Sequence, residues 1–223
     1  ETLSEAVKFC HARNVTVNVT LNTILYDTEL DSFADTVKNV AECGVDAVIL
    51  QDLAAAKIVK EIAPNLARHG STQMAVHTLE GALQLKEMGY TRVILARELS
   101  FEQIKYITEN CGIETEVFIH GALCVCLSGQ CYASTFLGGR SGNRGACAQP
   151  CRLPYGFNEP AKKKYPLSLK DNCLVQHVKE LEEMGVASLT LEGRMKRPEY
   201  VATVTSVYRR AIDEGIVTRD MKK

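Results

Sequence analysis

"TRVILARELSFEQIKYITENCGIETEVFIHG", residues 91–121, decides the fold. It opens on an apolar, β-branched run, "TRVILARE". "SFEQIKYITENCG" then places apolar residues at helical spacing between Ser100, an N-cap residue, and Gly112, a C-cap residue. "TEVFIHG" returns to an apolar run. A strand, a helix of about a dozen residues and a second strand form the crossover unit of a parallel sheet.

The same rhythm extends in both directions. Upstream, "VTVNVTLN" (15–22) alternates as a strand, "SFADTVKNVAECG" (32–44) is helical, and "VDAVILQD" (45–52) suits a strand buried on both faces. "AAAKIVKEIAPN" (54–65) is a helix stopped near Pro64, "TQMAVH" (72–77) a strand, and "TLEGALQLKEMG" (78–89) a helix closing on Gly89. Downstream, periodicity fades from Ala122 to Tyr165. It resumes with "PLSLKD", the helix "CLVQHVKELEEMG" (173–185), the strand "VASLTLEG" (186–193) and an amphipathic helix from Pro198 to Glu214.

Six or seven strands alternating with helices fit an open doubly wound sheet or a (β/α)8 barrel. No G-x-G-x-x-G follows a strand, which removes the main support for a dinucleotide-binding sheet. The fold expected is therefore α/β, a (β/α)8 TIM-type barrel lacking its first one or two β/α units. It forms one domain over 1–223, with a long Cys-rich loop inserted at 122–165. Because the chain starts without Met, it reads as a fragment or processed piece of something longer.

Composition narrows the function classes. The net charge of -1 is not that of a dedicated nucleic-acid binder, and no apolar run is long enough to cross a bilayer, so no membrane role is expected. Nine cysteines, an odd number, argue against a complete disulfide framework. Alternating strands and helices with clustered thiols are typical of cytosolic enzymes, and a cytoplasmic location is expected.

Barrel chemistry sits at the C-terminal ends of the strands. Here those ends read Asn22, Gln51–Asp52, His77, Arg97–Glu98, His120 and Glu192–Gly193–Arg194. Nearly every apolar run thus finishes on a group that donates, accepts or ionises, although polar residues also mark any strand-to-loop junction.

The long loop holds Cys124, Cys126, Cys131, Cys147 and Cys151, and Cys173 opens the next helical pattern. Cys10, Cys43 and Cys111 have apolar neighbours and read as small buried side chains. Three chemistries compete for the other six. Zinc prefers closed C-x-x-C pairs, and none is present. A catalytic thiol needs a base, and His120 is near Cys124 in sequence. An iron–sulfur cluster needs four thiolates on a loop free to wrap it, which the glycines allow; Arg140, Arg144 and Arg152 would offset its charge.

"EVFIHGALCVCLSGQCYAST", "SGNRGACAQPCRLPY", "LSLKDNC" and "LEGRMKRPEYVATVTSVYRRAID" resemble, in order, the signature of the collagenase-like peptidases of family U-32. "VTLNTILYDTEL", "VILQD" and "ILARELS" resemble its N-terminal half. The resemblance covers essentially the whole chain. Studied branches of that family are oxygen-independent hydroxylases of a tRNA uridine, an rRNA cytidine or a ubiquinone precursor. The loop is most similar to that of the rRNA-modifying branch.

The resemblance implies a four-iron four-sulfur (4Fe-4S) cluster on Cys124, Cys131, Cys147 and Cys173. Cys151 rivals the third position, and Cys126 lies outside the pattern. It also implies prephenate as a source of the hydroxyl group. Proteolysis has less support, because neither H-E-x-x-H nor G-x-S-x-G occurs. The remaining alternative is a cluster-bearing accessory subunit without catalysis.

A hydroxylase reading employs the rim. Asp52, His77, His120 and Glu192 are candidate acid/base groups, and Arg97 and Arg194 candidates to hold a carboxylate donor or a phosphate. Asn22, Glu98, Arg140, Arg144 and Lys170 complete the candidate substrate-binding set. Between Gly139 and Lys170 lie seven Lys or Arg and one acid, Glu159, with Tyr155, Phe157 and Tyr165 among them. Positive charge interleaved with aromatics suits phosphates and unpaired bases of RNA. A solvated loop is the plainer reading of the same residues.

Overall fold

The structure, a computed structural model, describes residues 2–156 and 164–215. Phe157, Glu159 and two of the loop's lysines lie outside the described residues.

Why the sheet forms is visible in its second strand. β1 (Asn18–Leu21), β2 (Ala47–Leu50), β3 (Ala67–Gly70), β4 (Arg92–Ile94) and β5 (Glu114–Gly121) pair in parallel, each with the next in the chain. β7 (Ser188–Leu191) continues in parallel on the far side of β5. Val48 and Leu50 of β2 have no exposed surface and pack on the helix side with Val37, Ala55 and Val59. A strand covered on both faces requires this continuous apolar composition.

The helices between strands are α2 (Leu30–Glu42), α3 (Leu53–Ile62), α4 (Leu79–Glu87), α5 (Phe101–Cys111) and, before β7, α7 (Val178–Glu183). α1 (Leu3–His11) precedes β1, and α8 (Pro198–Glu214) follows β7. Six parallel strands in sequence order form a curled, TIM-like open sheet, two strands short of a closed eight-stranded barrel.

Local signals act as their chemistry dictates. Ser100 Oγ accepts from Gln103 N while the Gln103 side chain returns to Ser100 N at 2.8 Å, a capping box that starts α5. Gly112, at φ 66°, ends it. Asp52 and Thr78 cap α3 and α4 by accepting from first-turn N–H groups, without the reciprocal bond.

Two elements differ from the sequence expectation. The third strand is not "TQMAVH" but the tetrad "ARHG". Arg68 and His69 are both buried: Arg68 donates to Gly89 O at 2.8 Å, and His69 sits opposite Arg92 in the sheet with its Nδ1 unpartnered among the described residues. Thr72–Met74 instead forms a tight 3-10 turn, capped by Ser71 Oγ accepting from Gln73 N, so His77 follows a loop rather than a strand. Likewise Cys173 does not open a helix. It lies in β6 (Asn172–Cys173), which pairs antiparallel with the end of β5, and the helix begins only at Val178.

Inside the curled sheet a polar belt replaces apolar packing. Arg92 pairs with Glu114 at 2.7 Å and Glu116 at 3.3 Å, and Thr190 Oγ1 donates to Glu116 at 2.5 Å. His69, 6 % exposed, is held below its usual pKa chiefly by burial and then by the Arg92 charge. Its ring is therefore neutral in the fold, whereas the unfolded chain binds a proton below the ordinary value near 6.5. Stability from this group is complete above that value and is lost as pH falls towards the lowered pKa. Urea midpoints are expected to fall between about pH 7 and pH 5, and His69→Phe to flatten that slope. Leu50→Ala, which empties a fully buried site, is expected to cost about 2–5 kcal/mol in the same titration.

Candidate active site

The rim begins where β5 ends. Gly121, at φ 101°, lets β5 and the loop after β7 converge, since a Cβ there would stand 2.6 Å from Glu192 O. Glu192 N donates to His120 O at 2.9 Å. β6 closes on the other side, pairing Cys173 with His120 and Asn172 with Gly121.

His120 is half-buried. Tyr208 Oη donates to Ile119 O at 3.0 Å and accepts from Leu174 N at 3.2 Å. With its own proton committed, Tyr208 meets His120 Nδ1–H as an acceptor at 3.3 Å. Nε2 then accepts from Tyr200 Oη at 3.0 Å. Burial holds the imidazole below its usual pKa, which agrees with this neutral form. His120 thus joins β5 to α8 rather than standing free as an acid or base.

Above this floor the long loop, 122–156, folds around short helical turns: α6 (Ala133–Gly138), Gly142–Arg144 and Pro150–Arg152. Several contacts staple it. Ser128, with no exposed surface, accepts from Arg97 N at 3.1 Å and Arg97 Nε at 3.2 Å, and its Oγ donates to Glu98 at 2.9 Å. Gly129, at φ 70°, lies so close to Gln73 O that a Cβ would be 2.0 Å away. Arg152 donates to Leu123 O at 2.7 Å and Ser168 Oγ at 2.9 Å, tying the loop's start to the approach to β6. Arg144 pairs with Glu29 at 2.5 Å, donates to Ile24 O and covers the Tyr26 ring at 4.5 Å.

The thiols gather within this stapled loop. Burial pushes the Cys151 thiol up, the Arg152 charge opposes the rise, and Cys124, Cys147 and Cys131 add to it. Cys126 is raised by burial and by its neighbours Cys131 and Cys124. Cys147 Sγ accepts from Gln149 N at 3.3 Å and Ser134 Oγ at 3.8 Å. Ser134 is itself buried and oriented by Ala148 N at 3.0 Å. Two donors aimed at the sulfur fix its orientation. Cys124, Cys147 and Cys173 are exposed and Cys131 half-exposed. Among the described residues, no three His, Cys, Asp or Glu side chains converge on one ion position.

The other rim candidates divide into tied and open groups. Asp52 is tied, accepting from Ala54 N at 2.7 Å, Ala55 N at 3.2 Å and Leu25 N at 3.0 Å. Arg97 and Arg144 are tied as described. Asn22 donates to Ser71 Oγ at 3.3 Å. Glu192 accepts from Arg194 N at 3.1 Å. Arg140, Lys170 and Arg194 are exposed. His77 and Glu98 come together, lining a cavity of about 270 Å³ with Gln103, Leu127 and Gln130. His77 Nδ1–H donates to Ala75 O at 2.6 Å, which presents Nε2 as an acceptor. A second cavity of that size lies between α5 and α7 and holds none of the rim candidates.

Sequence reasoning missed Ser128, Ser134, Tyr200 and Tyr208. The tyrosines lie on the amphipathic helix α8, and nothing local distinguished them or either serine. Ser128→Ala is expected to leave Arg97 N and Glu98 short of partners and to cost about 1–3 kcal/mol in urea unfolding. Faster proteolytic cutting within 122–156 should accompany that loss.

An open α/β barrel with a thiol-rich rim is the class that this geometry defines. The family model of Peptidase family U32 matches residues 1–223, and the chain belongs to that family. It is 41% identical over 222 residues to the 23S rRNA 5-hydroxycytidine C2501 synthase of Escherichia coli (strain K12), covering 97% of this chain and 34% of that protein. It is 37% identical over 224 residues to tRNA hydroxylation protein P1 of Bacillus subtilis (strain 168), covering 96% and 53%. A collagenase of Porphyromonas gingivalis (strain ATCC BAA-308 / W83) is 33% identical over 231 residues, covering 96% and 55%. The chain therefore spans about a third to a half of the length of these relatives. The structure of the U32 peptidase Mk0906 superposes with a TM-score of 0.56 at 16% identity, covering 85% of this chain and 74% of that one, a likeness of fold.

Proposed function

We propose that this chain carries the catalytic rim of an RNA-base hydroxylase that works without molecular oxygen and uses a 4Fe-4S cluster. The observation that carries the reading is the rim itself. A stapled loop carries five cysteines, with Cys147 Sγ receiving two hydrogen bonds, and leaves from the end of β5, where β6 and β7 adjoin. The relatives named for rRNA and tRNA hydroxylation supply the substrate class, an rRNA cytidine or a tRNA uridine.

Cys124, Cys131, Cys147 and Cys173 would hold the cluster, with Cys151 the rival of Cys147. When bound, such a cluster supplies one-electron transfer or Lewis-acid iron. The chain's own residues do the rest. Ser134 and Gln149 N orient the Cys147 sulfur. Tyr208 bonds Ile119 O of β5 and Leu174 N, the pair next to His120–Cys173, and so fixes Cys173 against β5. His77 Nε2 and Glu98, in their shared cavity, are placed to accept or deliver a proton. Arg194, and the part of the Arg97 guanidinium that Ser128 leaves free, suit the carboxylates of a small hydroxyl donor such as prephenate.

A base must leave its stack to reach such a rim, and exposed Arg140 and Lys170 suit its phosphates. The RNA reading also implies a cytoplasmic location. No helix among the described residues is long and apolar enough to cross a membrane.

A thiol peptidase is less well served. Both ring nitrogens of His120 are taken by tyrosine hydroxyls. Among the described residues no histidine hydrogen-bonds a rim cysteine.

Two measurements test the proposal. Anaerobic iron and sulfide analysis is expected to show a brown protein whose iron is lost in Cys124→Ala, Cys131→Ala, Cys147→Ala and Cys173→Ala. Full iron in all four variants overturns the ligand set. Nucleoside mass spectrometry of total RNA from a deletion strain is expected to lack one hydroxylated pyrimidine; an unchanged nucleoside profile overturns the RNA assignment. Cleavage of gelatin by the cluster-free protein would favour the peptidase instead.

A further inference from the structure

Exposed apolar side chains concentrate in one part of the rim. Leu127 is 62% exposed, Tyr132 57%, Phe136 87% and Leu137 68%. Tyr132 caps α6, and Phe136 follows one turn later, its N–H donating to Tyr132 O at 3.2 Å. The two rings therefore belong to the first turn of one short helix, Tyr132 at its cap and Phe136 within it. An almost fully solvated phenylalanine beside a half-exposed tyrosine serves no packing purpose within the described residues.

The charge around these rings is one-sided. Residues 122–156 contain three arginines and no Asp or Glu. Taken with the neighbouring rim segments 164–171 and 192–197, the count is eight Lys or Arg against two acids, Asp171 and Glu192. The whole chain, by contrast, has 26 basic and 27 acidic residues. These segments are therefore more basic than the chain as a whole, although Asp52 and Glu98 also stand at the rim and Lys196 pairs with Asp171 at 3.9 Å. Arg144 and Arg152 are spent on internal bonds. Arg140 immediately follows Gly139, the C-cap of α6, and is exposed.

Exposed rings in a positive field fit a partner with an anionic backbone and flat, apolar sides. Unpaired nucleic acid has both, whereas a duplex hides the faces of its bases. We propose that Tyr132 and Phe136 form a stacking platform for unpaired bases flanking the target nucleotide, with Arg140 on an adjacent phosphate. This deepens the RNA reading and rests on it.

The test measures binding of a labelled single-stranded RNA of about a dozen nucleotides, spanning several contacts of this kind, and of its duplex by fluorescence anisotropy. Phe136→Ala is expected to weaken single-strand binding about 10-fold, in line with the loss of one stacked base. Phe136→Trp should restore it, duplex binding should not change, and the melting temperature should match wild type because the ring is solvated. Arg140→Ala should weaken all sequences alike and lower the salt dependence by about one phosphate contact. Equal single-strand affinity in wild type and Phe136→Ala overturns the platform while leaving the RNA reading intact. A wild-type protein that binds no RNA overturns both. Flotation with phosphatidylserine vesicles that depends on Phe136 would assign the patch to a membrane surface and overturn the platform.

Discussion

The approach of Gly121 to the carbonyl of Glu192 is the constraint on which the rim depends. Only a residue without a Cβ lets the ends of β5 and β7 meet at that distance while the chain turns at positive φ. From that junction His120 reaches Tyr200 and Tyr208, β6 finds its antiparallel partner, and the long loop departs in a fixed direction. A bulkier residue would separate the strands and, with them, the segments that carry Cys124 and Cys173.

A loop of some thirty-five residues without a strand to support it would normally be expensive to order. This one is ordered by a few contacts to the barrel. Ser128 is clasped by Arg97 and Glu98, Arg144 reaches Glu29, and Arg152 spans the loop's two ends. The arginines of the loop thus fall into two populations. Arg144 and Arg152 build the site, and Arg140 is left for whatever the site meets. Charge counted along the sequence cannot make this division, because it depends on which acids and carbonyls the fold brings within reach.

The parallel sheet was legible because strands buried on both faces must be continuously apolar, as "VDAVILQD" is, and because Ser100 and Gly112 bracket α5 with unambiguous caps. β3 was not legible. Its Arg68 and His69 look like loop residues until the fold gives Arg68 the carbonyl of Gly89 and encloses His69 beside Arg92, whereas "TQMAVH" alternates as a strand would but turns at Thr72–Met74. The candidate site was legible as a collection of thiols and polar strand ends. The duties of those ends were hidden: Asp52 is a cap and Arg144 a staple, and His120 is enclosed by two tyrosines from a helix some eighty residues away in the chain.

By itself the sequence determined the alternation of strands and helices, the family, and the gathering of thiols in one glycine-rich loop, because these follow from periodicity, capping and motif, which are local. Tertiary structure alone decided which polar groups are spent and which remain open. That decision belongs to long-range geometry. A side chain's chemistry is set by the partners that burial brings to it, and those partners arrive from strands and helices remote in sequence.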